Sequence, residues 1–281
     1  MDSRASGGDV ARDPTKWIYI VNMDFRSVVR RCHQKTLDYT CKKRVVFHHV
    51  PKCGGTSVGR ALRIRYLLSQ ATILPEESFR TVQLLAEQQS QDTLLRKAMG
   101  LRQKLLLYLM FKDVRCISAH VAFTEEAYER FFDKYIFITL LREPVSRYIS
   151  HYYWSYGRTG AAGEVVEPID KFITTERGRN FGAIYPKFFS GLSPNSDFRC
   201  DDTISKAKEN LGKFAVIGFL NAIPAFEKKL KEVLGCYVRI GHANRSGVMA
   251  YESIDKNTRQ AIAEICQPDR EIFEYAVKTF S

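Results

Sequence analysis

The chain has 281 residues, 45% hydrophobic and 12% aromatic, and 43 Lys and Arg against 31 Asp and Glu give a net charge of +12. This suits one large α/β domain or two small ones and excludes a disordered or fibrous chain. The positive excess points to an anionic partner (nucleotide, nucleic acid, acidic polysaccharide or membrane surface) without choosing among them. Seven cysteines, Cys32, Cys41, Cys53, Cys116, Cys200, Cys236 and Cys266, are odd in number and form no C-x-x-C pair. They read as free thiols of a reducing compartment, not as a disulfide framework or a zinc site, and no metal is expected. No apolar run is long enough to span a bilayer and the amino end is not a signal peptide. A soluble cytoplasmic protein is expected, with an anchor outside the sequence as the alternative.

Residues 1–42 form a polar, charged amino-terminal arm, in which Trp17 to Met23 suits a short strand or a packed segment. The domain is expected over 43–281. Val45, Val46, Phe47 and Val50 read as a buried strand. Pro51 ends it, having no N–H to donate. Gly54 and Gly55 permit a tight turn and close approach of a ligand. Thr56 and Ser57 then suit the start of a helix running to about Leu68. Strand, glycine turn and helix N-terminus together bind phosphate, because free N–H groups and the helix dipole face the anion. Lys52 adds a mobile cation, and Thr56 and Ser57 add hydroxyls. The ATPase pattern G-x-x-x-x-G-K-[ST] fails here, because the lysine precedes the glycines.

Two helical stripes follow between Ser78 and Lys112, within a helical insertion of about 66–112. Arg96, Lys97, Arg102, Lys104, Lys112 and Arg115 make the region from 94 to 115 basic. A solvated face on a core-facing helix is the preferred reading; a helix that holds an acidic acceptor or lies on an anionic surface is the alternative. Val114 to His120 reads as a strand ending on His120, and Thr124 as the N-cap of the next helix. Lys134 to Leu141 has the composition of a buried parallel strand and ends on Arg142. Pro144 opens a helix to about Tyr156, and Gly157 to Pro168 is a glycine-rich loop. A helix within 197–213, a strand at Phe214 to Leu220, a helix at Ile223 to Leu234, a polar loop at 242–248 and one or two helices over 253–280 complete the chain. Strands alternating with helices predict an α/β single domain with a central parallel sheet flanked by helices. Ligands of such sheets bind beyond the carboxyl ends of the strands. Lys52, His120 and Arg142 all fall there.

The order P-K-C-G-G-T-S, Lys52 to Ser57 after Pro51, resembles the 5′-phosphosulfate loop of the sulfotransferases that use 3′-phosphoadenosine 5′-phosphosulfate (PAPS). Arg142 at a strand end and Ser150 eight residues on resemble that family's 3′-phosphate site. Ser118 to Phe123 is similar to the G-H-x-x-F segment of its carbohydrate group, the heparan sulfate 2-O and 6-O and bacterial enzymes, with Ala119 where glycine is usual. Asn244, Arg245 and Ser246 resemble the late loop that closes over the cofactor phosphates, and Asn180 to Gly191 resembles the segment near the adenine. The resemblance implies a P-loop-like sulfotransferase fold, PAPS as donor, no metal, and a carbohydrate hydroxyl as acceptor. It also implies donor contacts at Lys52, Cys53, Gly54, Gly55, Thr56, Ser57, Arg142, Ser150 and Asn244 to Ser246. His120 is then the base and Lys52 the cation for the leaving group. His49 is the alternative base, since on an alternating strand only one of His48 and His49 can face the site. A peptide tyrosine or a small metabolite as acceptor, or a non-catalytic nucleotide- or polyanion-binding protein, are the other readings. A Golgi-type anchor is the form the localisation alternative takes.

Overall fold

The computed structural model describes residues 28–29, 32, 42–86, 89–158, 163–241 and 254–281. The chain divides into two units, Met1–Thr40 and Cys41–Ser281. Of the first, Val28, Val29 and Cys32 are described, and they are helical.

The second unit begins with β1 (Arg44–His48), α1 (Gly55–Arg65), β2 (Gln70–Ile73), α2 (Pro75–Leu85), α3 (Gln91–Phe111) and β3 (Cys116–Ala119). It continues with α4 (Glu125–Phe131), β4 (Tyr135–Leu141) and α5 (Pro144–Ser155). Three short helices follow, α6 (Ile169–Phe172), α7 (Glu176–Asn180) and α8 (Ile184–Phe189). Then come α9 (Asp201–Leu211), β5 (Val216–Phe219), α10 (Ile223–Leu234), α11 (Lys256–Ile265) and α12 (Gln267–Phe280).

The five strands form one sheet in the order β2-β3-β1-β4-β5, and every pairing is parallel. The expected α/β architecture is therefore present. Successive side chains on a strand face opposite ways, and both faces of this sheet are covered. Val46, Ile117 and Phe137 join a core on one side, with the α8, α9 and α12 side chains. Val45, Phe47, Ile138 and Leu140 join another, with α1 and α10. Such double burial explains the near-continuous apolar runs of β1 and β4.

Two expectations change. The helix predicted to reach Leu68 stops at Arg65, because Tyr66 turns inward, fully buried, and its hydroxyl donates to the Lys43 carbonyl at 2.9 Å. The chain then enters β2, so the insertion is not wholly helical. Cys116 N donates to Ser69 O at 3.1 Å, which ties this edge strand to β3. In the basic stretch 94–115, Arg102 on α3 and Arg115 just before β3 are buried at 6% and 5% exposure, so its positive charge is not wholly solvated. Among the described residues no helix is long and apolar enough to cross a membrane.

Candidate active site

Because all five strands run the same way, the loops after β1, β3, β4 and β5 emerge at one edge. They open into a cavity of about 1500 Å³, whose far wall is made by α2, α3 and the 194–198 loop. Pro51, Lys52, Gly54, Gly55, Thr56 and Ser57 all line it.

The turn into α1 is tightly specified. Lys52 holds φ at +63°, a conformation that L-residues rarely adopt. Gly54 sits at φ +80°, and a Cβ there would lie 2.6 Å from Leu220 Cδ1. A Cβ on Gly55 would lie 1.9 Å from the His49 ring. The N-terminus of α1 has no side-chain cap, which leaves its first N–H groups for a ligand. The Cys53 side chain turns away from the cavity. It is fully buried and points at the Tyr185 hydroxyl, 3.7 Å away, and burial pushes its thiol up to about 11.

Strand alternation separates the paired histidines. His48 belongs to the core, 1% exposed, stacked on Phe137 and edge-on to Phe214, with Nδ1 hydrogen-bonded to Val121 O at 3.1 Å. His49 faces the cavity, where its ring lies 3.8 Å, centroid to centroid, from that of His120. His120 follows β3 directly and lines the same space. The neighbouring His49 main chain favours the protonated ring, against the larger effect of burial. A third imidazole, His151 of α5, stacks on Phe181 at 4.0 Å. Burial first, and then neighbouring positive groups, push His49 down to about 4 and hold His120 and His151 well below the usual histidine range. All three are neutral at pH 7.

On the β4 side, Arg142 and Ser150 reach the cavity together with Ser146, one turn earlier on α5. The Arg142 guanidinium donates to Lys52 O at 3.2 Å. Its main chain is held by buried Tyr185, whose hydroxyl accepts from Arg142 N at 3.0 Å and donates to the Arg142 carbonyl. Below, Arg147 and Asp269 form a fully buried ion pair at 3.0 Å, and Asp269 also accepts from Tyr185 N at 2.7 Å. The Lys52 ammonium lies 5.4 Å from the centre of the Trp154 ring, whose other neighbour is the Arg158 guanidinium at 4.1 Å. Burial, then Arg142 and Arg158, lower the affinity of Lys52 for its proton.

Towards α2 and α3 the cavity gains Arg102 and Lys187. Neither forms an ion pair with a carboxylate among the described residues. Burial and the nearby Arg102 pull Lys187 down to about 8, and burial pulls Arg102 down to about 10. The structure thus brings Lys52, His120, Arg142 and Ser150 together as expected and adds His151, Ser146, Arg158, Arg102 and Lys187. One of these left a trace in the sequence. Arg102 falls at i+4 from Ala98 and i−4 from Leu106, inside the apolar stripe of its helix.

Residues 35–156 match the Sulfotransferase family. That stretch contains the Lys52 loop, His120, Arg142 and Ser150, the residues that converge on the cavity. The similarity to that family covers this stretch and ends at Tyr156. No curated protein matches it at a significant level. A solved chain of the PezAT chromosomal toxin-antitoxin system of Streptococcus pneumoniae aligns with 91% of this chain and 98% of its own length. Its identity is 11% and its TM-score 0.36, a likeness too loose to bear on topology or function. Asn244, Arg245 and Ser246 lie outside the described residues. The expected set of seven free thiols is corrected at Cys236, which is disulfide-bonded. It is half-buried on the turn after α10, where Gly235 takes φ +70°. Cys32, Cys53, Cys116, Cys200 and Cys266 are free. Among the described residues no cluster of His, Cys, Asp or Glu is placed to hold a metal ion.

Proposed function

We propose that this protein is a sulfotransferase, which moves a sulfuryl group from PAPS to a hydroxyl of an acidic carbohydrate. One observation carries the reading: the Lys52 loop, the Arg142–Ser150 pair and the neutral His120 open into a single cavity. The fit to the donor rests on two separate cationic places. The uncapped start of α1, with Lys52, Gly54 to Ser57 and the Cys53 main chain, suits a 5′-phosphosulfate. Arg142, with Ser150 beside it, suits a 3′-phosphate through charge-assisted bonds. Asn244, Arg245 and Ser246 are assigned to closing over the phosphates. PAPS supplies the sulfuryl group and a leaving phosphate.

The protein's part is then positioning and proton transfer. His120 takes the acceptor hydroxyl proton on a ring nitrogen, for which it must be neutral, as it is at pH 7. Lys52 and the α1 N–H groups oppose the negative charge that grows on the leaving oxygen. His49, packed on His120, restrains its ring. The acidic acceptor is inferred from Arg102 and Lys187. Buried Lys187 lies near two like charges, Arg102 and Arg96, with Asp92 opposing them, and an anionic group on the ligand offsets the remaining positive excess. A carbohydrate suits the polar wall, where Glu76, Glu77, Arg80, Asp92 and Asn195 offer partners for hydroxyls. Residues 43–281 are assigned as the sulfotransferase domain and 1–42 as an arm.

The test is a thermal shift with 3′-phosphoadenosine 5′-phosphate (PAP) against ADP, followed by radiolabelled PAPS with a panel of acidic and neutral saccharides, tyrosine peptides and phenols. Greater stabilisation by the 3′-phosphorylated nucleotide and transfer to an acidic saccharide are expected. Equal stabilisation by the two nucleotides would sink the donor assignment, and transfer only to phenols would sink the acceptor.

A further inference from the structure

The segment from His120 to Thr124 links β3 to α4 and has no regular structure of its own. It is held from outside at successive main-chain groups. Ala119 O accepts from His49 N at 2.8 Å, Val121 O meets His48 Nδ1 at 3.1 Å, and Phe123 N donates to Phe188 O at 2.7 Å. At His120 itself, the carbonyl accepts from Arg102 Nη1 at 3.3 Å. The rest of that guanidinium is engaged on α2: Nε donates to Ser78 Oγ at 2.6 Å and Nη2 to Pro75 O at 3.1 Å. The Ser78 hydroxyl in turn donates to Pro75 O at 2.9 Å. All three guanidinium nitrogens are therefore spent on neutral acceptors, at 6% exposure.

A buried arginine that only joined α2 to α3 would need no third bond to the loop that carries the base. We propose that Arg102 is a positioning residue for His120: one guanidinium fork fixes the His120 peptide to the α2–α3 wall of the acceptor cleft. This rests on His120 being the base. Base and acceptor wall then move as one body, so an acceptor seated against α2 and α3 is in register with the nitrogen that takes its proton. Misplacement by about 1 Å costs rate on the order of 10²-fold. Only a fork of fixed shape spans three acceptors; an ammonium on a flexible stem does not. The charge acts as well. Among the described residues, the titratable and charged groups that act on the His120 ring are His49, Arg102 and His151, of which Arg102 is a permanent cation opposing protonation of the ring.

The experiment compares Arg102→Lys, Arg102→Gln and Ser78→Ala with wild type, reading kcat, KM, PAP affinity, melting temperature and the pH profile of kcat/KM. Arg102→Lys keeps a charge but loses the fork. Its kcat is expected to fall by roughly 10–100-fold with PAP affinity unchanged and the acid limb unmoved. Arg102→Gln is expected to lose a similar factor and to move the acid limb to higher pH, because the ring loses a neighbouring cation. Ser78→Ala, which retains Arg102 and frees only Nε, should show a smaller loss of the same kind and serves if the Arg102 variants do not fold. Nitrogen-15 NMR of the histidine rings reads the hold without turnover, with one fixed His120 tautomer in wild type and averaging in Arg102→Gln. Wild-type kcat in Arg102→Lys, or losses of rate that track melting temperature and PAP affinity together, would overturn the proposal. A wild-type enzyme that transfers no sulfuryl group would count against the function instead, while the NMR comparison still decides the role of Arg102.

Discussion

Replacing Tyr185 with Phe removes one oxygen from beneath the donor site. That hydroxyl is fully buried and satisfies both main-chain groups of Arg142, accepting from its N–H and donating to its carbonyl. Phe keeps the ring and the packing against Phe189, so the loss is confined to hydrogen bonding. A buried N–H and a buried C=O left without partners cost about 1–3 kcal/mol each. Relief from burying the hydroxyl offsets part of this, leaving a net loss of about 2–3 kcal/mol. For a domain of this size that lowers Tm by roughly 4–12 °C. The second effect is on the ligand. A charge-assisted contact from Arg142 contributes about 1.5–3 kcal/mol, and a loosened main chain forfeits part of it, about 1 kcal/mol or roughly fivefold in affinity. Titration calorimetry with PAP and with ADP separates the two effects, since only PAP carries the group that Arg142 is assigned to read. The expected result is a narrower preference for PAP in Tyr185→Phe. An unchanged preference together with an unchanged Tm would refute the reasoning, and equal weakening of both nucleotides would place the damage in the loop rather than at Arg142.

Lys52→Ala should lower kcat by on the order of 10²-fold or more with only a modest change in PAP affinity, and wild-type turnover would remove Lys52 from the chemistry. His120→Ala should lose roughly 10²–10⁴-fold in rate while keeping Tm and PAP affinity; near-normal turnover would move the base to His49. The pH profile of kcat/KM should stay flat from 8 down through 6.5 and fall only at lower pH, because the His120 ring is held well below the usual range. An acid limb centred at 6.5 would contradict that. His48 is 1% exposed and pushed from 6.5 to about 4. Its folded pKa lies below the unfolded one, so its contribution to stability is complete above 6.5 and is lost as pH falls towards 4. Between pH 7 and pH 5 the loss is about 2 kcal/mol, measurable by urea unfolding of wild type against His48→Phe.

The stretch from Val45 to Arg65 was legible because its signals are local: an apolar strand, a proline stop, a glycine turn and a helix start within about twenty residues. The convergence of Lys52, His120 and Arg142 followed from one inference, that strands alternating with helices lie parallel and end at one edge. What escaped was carried by contacts far apart in sequence. The Tyr185 hydroxyl meets Arg142 across 43 residues, and Arg102 meets Ser78 across 24 and His120 across 18. No periodicity encodes such a meeting. β2 was hidden for another reason. It is four residues long at the sheet edge, and its alternation of exposed Gln70 and Thr72 with Ala71 and Ile73 is too short to stand out as a strand. Cys236 shows the limit of counting, since an odd total says nothing about any one pair.

The position of Trp154 between two cations gives the protein an optical handle. The sequence holds two tryptophans, Trp17 and Trp154. With Trp17→Phe in place, indole emission comes from Trp154 alone. Positive charge close to an indole ring shifts and dims its fluorescence, and here the Lys52 ammonium sits 5.4 Å from the ring centre. An anion that draws Lys52 towards the start of α1 takes that charge away. Emission should then brighten in step with occupancy of the loop, reporting binding in stopped flow without label or turnover, and Lys52→Met should abolish most of the change.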